Sequence, residues 1–257
     1  MNDFNVEIKE RLIAAGTNVR LKHASNEFMK ASIEASYSYN YHWLGRPIIQ
    51  YPQDIVAMQE LIWQIRPDVI VETGIAHGGS LILSASMMAM LDYCDAVESG
   101  DSLDPQASKR KVIGVDIDIR AQNKVAIENH PMRNLISMIE GSSLDSRIIE
   151  QVKHKVGNAE KVLVALDSNH THEHVLAELD SYAPLVTLGS YCVVFDTVIE
   201  QLPADTYDDR PWGIGNNPMT AVNAWLPHNP AFEVDRDMDQ KLQVSVAPGG
   251  FLKRVLA

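Results

Sequence analysis

The stretch Val69-Ile-Val-Glu-Thr-Gly-Ile-Ala-His-Gly-Gly-Ser80 constrains the fold more than any other part of this 257-residue chain. It opens with a short, β-branched apolar run of the kind that forms a buried parallel strand. It breaks at Gly74 and again at Gly78-Gly79, and the almost wholly apolar Leu81–Leu91 follows as a core-packed helix. Strand, glycine turn and helix N-terminus in that order make a site for a nucleotide-type cofactor. Glycine allows this because no Cβ blocks the approach of a ligand to the backbone. Gly74 to Gly78 reads G-x-x-x-G, so the pattern is not the dinucleotide fingerprint G-x-G-x-x-G.

The rest of the chain repeats the strand-then-helix rhythm. Pro52 opens a helix, as proline at a first helical position does, and Ile55, Met58, Leu61, Ile62 and Ile65 recur along it at helical spacing. Strands are expected at 69–73, 111–116, 135–140, 161–167 and 191–196, and helices at 5–36, 80–93, 120–128, 144–156, 172–182 and 218–226. A polar, acidic surface loop is expected over 94–110. Phe232–Val234 and Lys241–Val246, with a short link between them, are expected to form a terminal antiparallel hairpin. The aromatic-rich segment 37–51 reads either as a wrap over the core or as a lid over a ligand. The loop 197–217, with Trp212 and four Gly/Pro residues, reads as an ordered gate.

Three of the strands end in aspartate: Asp116, Asp167 and Asp196. In open α/β sheets, ligands bind outside the carboxyl ends of the strands. One such aspartate could be a helix cap; three together describe one acidic crevice.

Composition narrows the partners. Net charge is −12 with no basic run, which argues against a nucleic-acid surface and against anionic lipid. No apolar run is expected to reach membrane-span length. Cys94 and Cys192 give neither metal spacing nor a disulfide framework, and the first residues carry no signal-peptide pattern. The expectation is therefore a cytoplasmic protein acting on a small molecule, with homo-oligomerisation left open.

Tyr41-His-Trp-Leu-Gly-Arg-Pro, Tyr51-Pro-x-Asp, Val71-Glu-Thr-Gly-Ile-Ala-His-Gly-Gly-Ser80, Gly114-Val-Asp-Ile-Asp118 and Gly249-Gly-Phe-Leu-Lys-Arg254 resemble the cephalosporin hydroxylase family, whose relatives include rhamnosyl O-methyltransferases. The resemblance spans roughly residues 37–255. It implies a class I S-adenosylmethionine-dependent O-methyltransferase fold: an α/β, Rossmann-like sheet, mostly parallel with a C-terminal antiparallel hairpin and helices on both faces. The whole of residues 1–257 is then a single methyltransferase domain, with 1–50 as a helical and aromatic lid. The implied acceptor is a hydroxyl of a small molecule, a glycan sugar or a glycosylated natural product.

The resemblance also assigns residues. Glu72, Gly74, His77, Gly78, Gly79 and Ser80 match the cofactor loop, and Asp116 matches the acid that accepts from the ribose hydroxyls. Ser142 and Ser143 look like the adenine-side loop, and Asp167 borders the cofactor. Asp167 and Asp196, with Thr197, match the magnesium ligands of metal-dependent relatives. Those relatives carry two adjacent polar residues at the second position, where this chain has Phe195-Asp196-Thr197. His170 stands three residues after Asp167, at the step where catechol O-methyltransferase has its lysine base, and its imidazole suits proton transfer near neutral pH. His172 and His174 are expected to be surface or packing residues. Two other readings remain open at this point. One is a non-catalytic cofactor-binding subunit. The other is a hydroxylase whose iron would have to use His170, His174 and Asp167.

Overall fold

A computed structural model describes residues 3–256. Two helices come first, α1 (Asp3–Thr17) and α2 (Val19–Glu34), separated where the Asn18 side chain caps α2 by accepting from the Leu21 amide. The expected single helix over 5–36 is therefore two. A hairpin of β1 (Tyr41–Trp43) and β2 (Arg46–Ile48) follows, then α3 (Pro52–Ile65), β3 (Val69–Thr73), α4 (Gly79–Ser99), β4 (Lys111–Asp116), α5 (Ala121–Glu128), β5 (Ile136–Glu140), α6 (Ser146–Val156), β6 (Val162–Leu166), α7 (His172–Tyr182), β7 (Tyr191–Val194), α8 (Pro218–Trp225), β8 (Phe232–Val234), α9 (Arg236–Lys241) and β9 (Phe251–Arg254).

Seven strands form one sheet in the order β5-β4-β3-β6-β7-β9-β8. The pairs among β5, β4, β3, β6 and β7 are parallel, and β9 runs antiparallel to both β7 and β8. Alternation along the strands splits the core in two. Ile70, Val112, Leu163 and Val193 face α3 and α4, while Val69, Val71, Ile113, Val164 and Cys192 face α6, α7 and α8. The strands are apolar on both sides because helices cover both faces.

The terminal hairpin differs from expectation in its second strand. Residues 241–246 alternate like a strand, yet α9 runs through Lys241 and the segment after it is irregular. The Val246 amide and the Ser245 hydroxyl bond to the buried Asp54 carboxylate at 3.0 and 2.6 Å instead of to a neighbouring strand. Phe251–Arg254 takes the strand position, and Gly250 lets it close on β7, since a Cβ there would sit 2.1 Å from the Val194 carbonyl oxygen.

Helix α4 also runs further than expected, through Asp95 to Ser99, where Gly100 closes it in the left-handed region (φ 76°). Asp95 and Glu98, read from sequence as loop, instead lie on its last turns, where Asp95 pairs with Arg66 and Arg110 and Glu98 with Arg66. By length and composition alone α4 is long and apolar enough to cross a membrane, contrary to the expectation of no such run. Its buried face, including Leu81, Leu83, Ala85, Met88 and Leu91, packs in the α3 side of the core.

Candidate active site

The carboxyl ends of β3, β4, β6 and β7 meet at the point where strand order reverses, between β3 and β6. Gly74 leaves β3 with φ 91°, and a Cβ there would lie 1.9 Å from the Asp167 carbonyl oxygen, so two strand ends touch backbone to backbone. Gly78 (φ 82°) stands just before α4, and a Cβ on Gly79 would lie 2.2 Å from the Pro47 carbonyl oxygen. The β1–β2 hairpin is pressed onto this turn. Together they border a cleft lined by residues 47–50, by Gly74–His77, Gly79 and Ser80 of the turn, and by Asp167.

The turn is held from three directions. Asp116 Oδ2 accepts from the Ile75 and Ala76 amides at 2.8 and 3.2 Å, and its Oδ1 accepts from the Asp118 amide at 3.1 Å. A carboxylate has about four acceptor sites, so these three amides leave one at Asp116 for a further donor. The Arg46 guanidinium donates twice to the His77 carbonyl, at 3.0 and 2.6 Å, and once to Asn123 Oδ1. Asn123 in turn donates to the Ala76 carbonyl at 2.8 Å. Glu72 is buried and its carboxylate accepts from the Ser80 hydroxyl. Burial pushes its carboxyl up to about 7, partly offset by that bond.

Ser142 and Ser143 follow β5. The Ser143 hydroxyl is buried and turned to His174 Nε2 at 3.1 Å, and Ser142 Oγ accepts from the Leu144 amide. The cap of α6 is Asp145, which accepts from the Arg147 amide, and not a serine.

Across the cleft, the ligand atoms of Asp167, His170 and Asp196 lie within 4.8 Å of one another. His170 Nε2 is 3.3 Å from Asp196 Oδ2, and Gln50 Nε2 donates to Asp167 Oδ2 at 3.2 Å. Burial first, then the nearby Asp196 and Glu72 carboxylates, push the Asp167 carboxyl well above its ordinary range. Asp196 adopts φ 57°, in the left-handed region, which is rare for a residue with a Cβ and marks functional sites. This backbone turn explains the Phe195 departure: Phe195 continues the strand into the α3 side of the core, and Asp196 swings back to the crevice.

Two sequence expectations are corrected here. Thr197 is not a ligand. Its fully buried hydroxyl donates to the Pro248 carbonyl at 2.7 Å. The set His170, His174 and Asp167 is not assembled either. His174 Nε2 faces Ser143, Ser168 (3.2 Å) and Glu178 (3.4 Å), leaving two carboxylates and one histidine at the crevice. His172 is a packing residue bonded to Thr220 at 2.8 Å.

Arg46, Gln50 and Asn123 were given no role from sequence. Arg46 had a signal, since it sits in the Leu-Gly-Arg-Pro motif. Gln50 and Asn123 come from segments 117 and 47 residues away from the groups they touch, and nothing local marks them.

Comparison with known proteins agrees with this geometry. Residues 35–255 match the family model described as rhamnosyl O-methyltransferase/CmcI. The chain is 28% identical over 207 residues to a rhamnosyl O-methyltransferase of Mycobacterium tuberculosis, covering 78% of this chain and 73% of the relative. It is 27% identical over 214 residues to that of Mycobacterium leprae, covering 82% of each. Among solved structures, CmcI with magnesium and S-adenosylmethionine aligns with a TM-score of 0.56 at 19% identity, over 85% of this chain and 78% of that one. An O-methyltransferase from Bacillus cereus in complex with S-adenosylhomocysteine aligns at 0.50 and 14%, over 82% and 81%. The chain belongs to the rhamnosyl O-methyltransferase/CmcI family.

Proposed function

We propose that the protein is an S-adenosylmethionine-dependent O-methyltransferase whose acceptor is a sugar hydroxyl of the rhamnosyl type. The observation that carries this reading is the adjacency of two half-sites. The glycine turn held by Asp116 forms one wall of a cleft, and Asp167 belongs both to that cleft and to the acid–histidine cluster. The names of the relatives supply the sugar.

The residues fit the cofactor. Gly74 and Gly79 let the turn pack directly on the Asp167 and Pro47 backbone and so shape the cleft, and Gln50 Oε1 in its lining is buried with no hydrogen-bond partner among the described residues. They also fit magnesium, which prefers carboxylate oxygens and keeps several waters. Asp167 and Asp196 supply those oxygens, and their mutual repulsion is what a cation relieves. Bound there, magnesium lowers the pKa of a nearby hydroxyl and fixes its position.

The chain's own groups do the rest. The His170 imidazole takes the acceptor proton, and the Asp196 carboxylate, 3.3 Å from Nε2, stabilises the imidazolium that forms. The acceptor oxygen forms a bond to the methyl carbon as the carbon–sulfur bond breaks. That electron pair stays on sulfur, and S-adenosylhomocysteine leaves. Alignment of oxygen, carbon and sulfur is the main contribution of the protein. Residues 37–50 act as the lid: Pro47–Gln50 line the cleft, and Trp43 is tied to α4 through a bond from Nε1 to Ser86 Oγ at 2.9 Å.

Calorimetric titration with S-adenosylmethionine, NAD and 2-oxoglutarate tests the cofactor assignment. Saturable heat with the first alone is expected. Binding of either of the others in its place would overturn the reading.

A further inference from the structure

The segment from Asp196 to Asn217 closes on itself, and the closure ends at His170. Asp196 and Glu200 belong to one short helical turn, with Glu200 in the 3-10 segment Thr197–Gln201. Glu200 Oε2 accepts from the Gly215 amide at 2.8 Å and from the Asn217 side-chain amide. Asn217 caps α8 with a full capping box and also donates to the Gly213 carbonyl at 2.8 Å. The Asn216 side chain donates to the Pro211 carbonyl at 2.7 Å, which brackets Trp212 within the pinned stretch. The Trp212 ring meets the His170 ring edge-to-face, with centroids 4.8 Å apart and planes at 85°. His170 in turn contacts Asp196, where the circuit began.

We propose that Glu200 is a positioning residue for methyl transfer. It latches residues 213–217, and Trp212 thereby fixes the ring plane of His170 beside Asp196 and toward the acceptor side of the crevice. A histidine held on one side by a carboxylate can still rotate about its side-chain bonds. An aromatic partner at right angles removes that freedom and contributes favourable quadrupole contact. The restraint matters because misplacing a base by about 1 Å costs on the order of 10²-fold in rate. The inference rests on the reading of His170 as the acceptor-side base.

The test uses a readout that does not require catalysis. Trp212 shifts the His170 Cδ2 and Cε1 proton resonances through its ring current, and Trp212→Ala removes that shift and assigns it. Glu200→Ala should move the same resonances to the Trp212→Ala positions. Glu200→Gln keeps an acceptor oxygen and should leave them near the wild-type values. In turnover assays, Glu200→Ala should lower kcat about 10- to 100-fold, with S-adenosylmethionine affinity unchanged and Glu200→Gln largely rescued. Wild-type His170 resonances in Glu200→Ala would overturn the latch even if methyl transfer is confirmed. Moved resonances in a protein that transfers no methyl group would leave the latch standing and overturn the proposed function instead.

Discussion

Asp116 and Asp167 both follow buried parallel strands, yet their carboxylates meet opposite surroundings. Asp116 accepts from three backbone amides, all contributed by residues close to the ends of β3 and β4. Asp167 receives one amide bond from Gln50 and otherwise faces Asp196 and Glu72. The glycine-turn side of the crevice, where the proposed function places the cofactor, is thus held by fixed backbone dipoles. The acceptor half concentrates like charge and is held by side chains from remote segments, and a cation or a proton must relieve it. Affinity for the cofactor should therefore be robust, and turnover should be fragile.

Substitutions can break that division. The largest effect is expected from His170→Ala, which should lower kcat about 10²- to 10⁴-fold and leave S-adenosylmethionine affinity nearly intact by calorimetry. Loss of affinity in step with kcat would join the two halves. Glu72 offers a pH test. Its carboxyl is raised from 4.5 to about 7 by burial, so the unfolded chain gives up this proton first as pH rises. The contribution of the neutral acid to stability is fully present below about pH 4.5 and is lost by about pH 7, a change on the order of 3 kcal/mol. Urea melts of Glu72→Gln, which retains an acceptor for Ser80, should show a flatter stability profile across that window. A profile as steep as wild type would place the buried proton elsewhere.

Asp116→Ala frees the Ile75 and Ala76 amides and should weaken S-adenosylmethionine by about 1.5–3 kcal/mol, with kcat at saturation little changed. Unchanged affinity would mean that the turn holds its shape without this carboxylate. The smallest effect is expected from His172→Ala, which loses the bond to Thr220. About 0.5–1.5 kcal/mol of stability should go, and kcat should stay within a few-fold of wild type.

The same division separates what the sequence made legible from what it did not. The five parallel strands stand within two residues of their expected bounds, because each is a largely apolar run followed within two residues by a glycine or an acid. The glycine turn and Asp116 could be read because they lie in local motifs. The acceptor side could be read only in its acids and His170. Thr197 was misplaced because a hydroxyl next to a ligand looks like a ligand until the Pro248 carbonyl is seen to hold it. Residues 241–246 have a strand's alternation, but Asp54, nearly two hundred residues earlier, takes the amide that a strand would have paired. Long-range hydrogen bonds of this kind leave no period in the chain.

Transfer of a ¹³C-methyl group from S-adenosylmethionine to a rhamnoside, followed by NMR with and without EDTA, tests the central claim most directly. The expected result is a labelled O-methyl sugar with one equivalent of S-adenosylhomocysteine per turn, lost in EDTA and restored by Mg²⁺. A protein saturated with cofactor and magnesium that places no label on any sugar oxygen, across rhamnose and rhamnosides of varied aglycone, would contradict it.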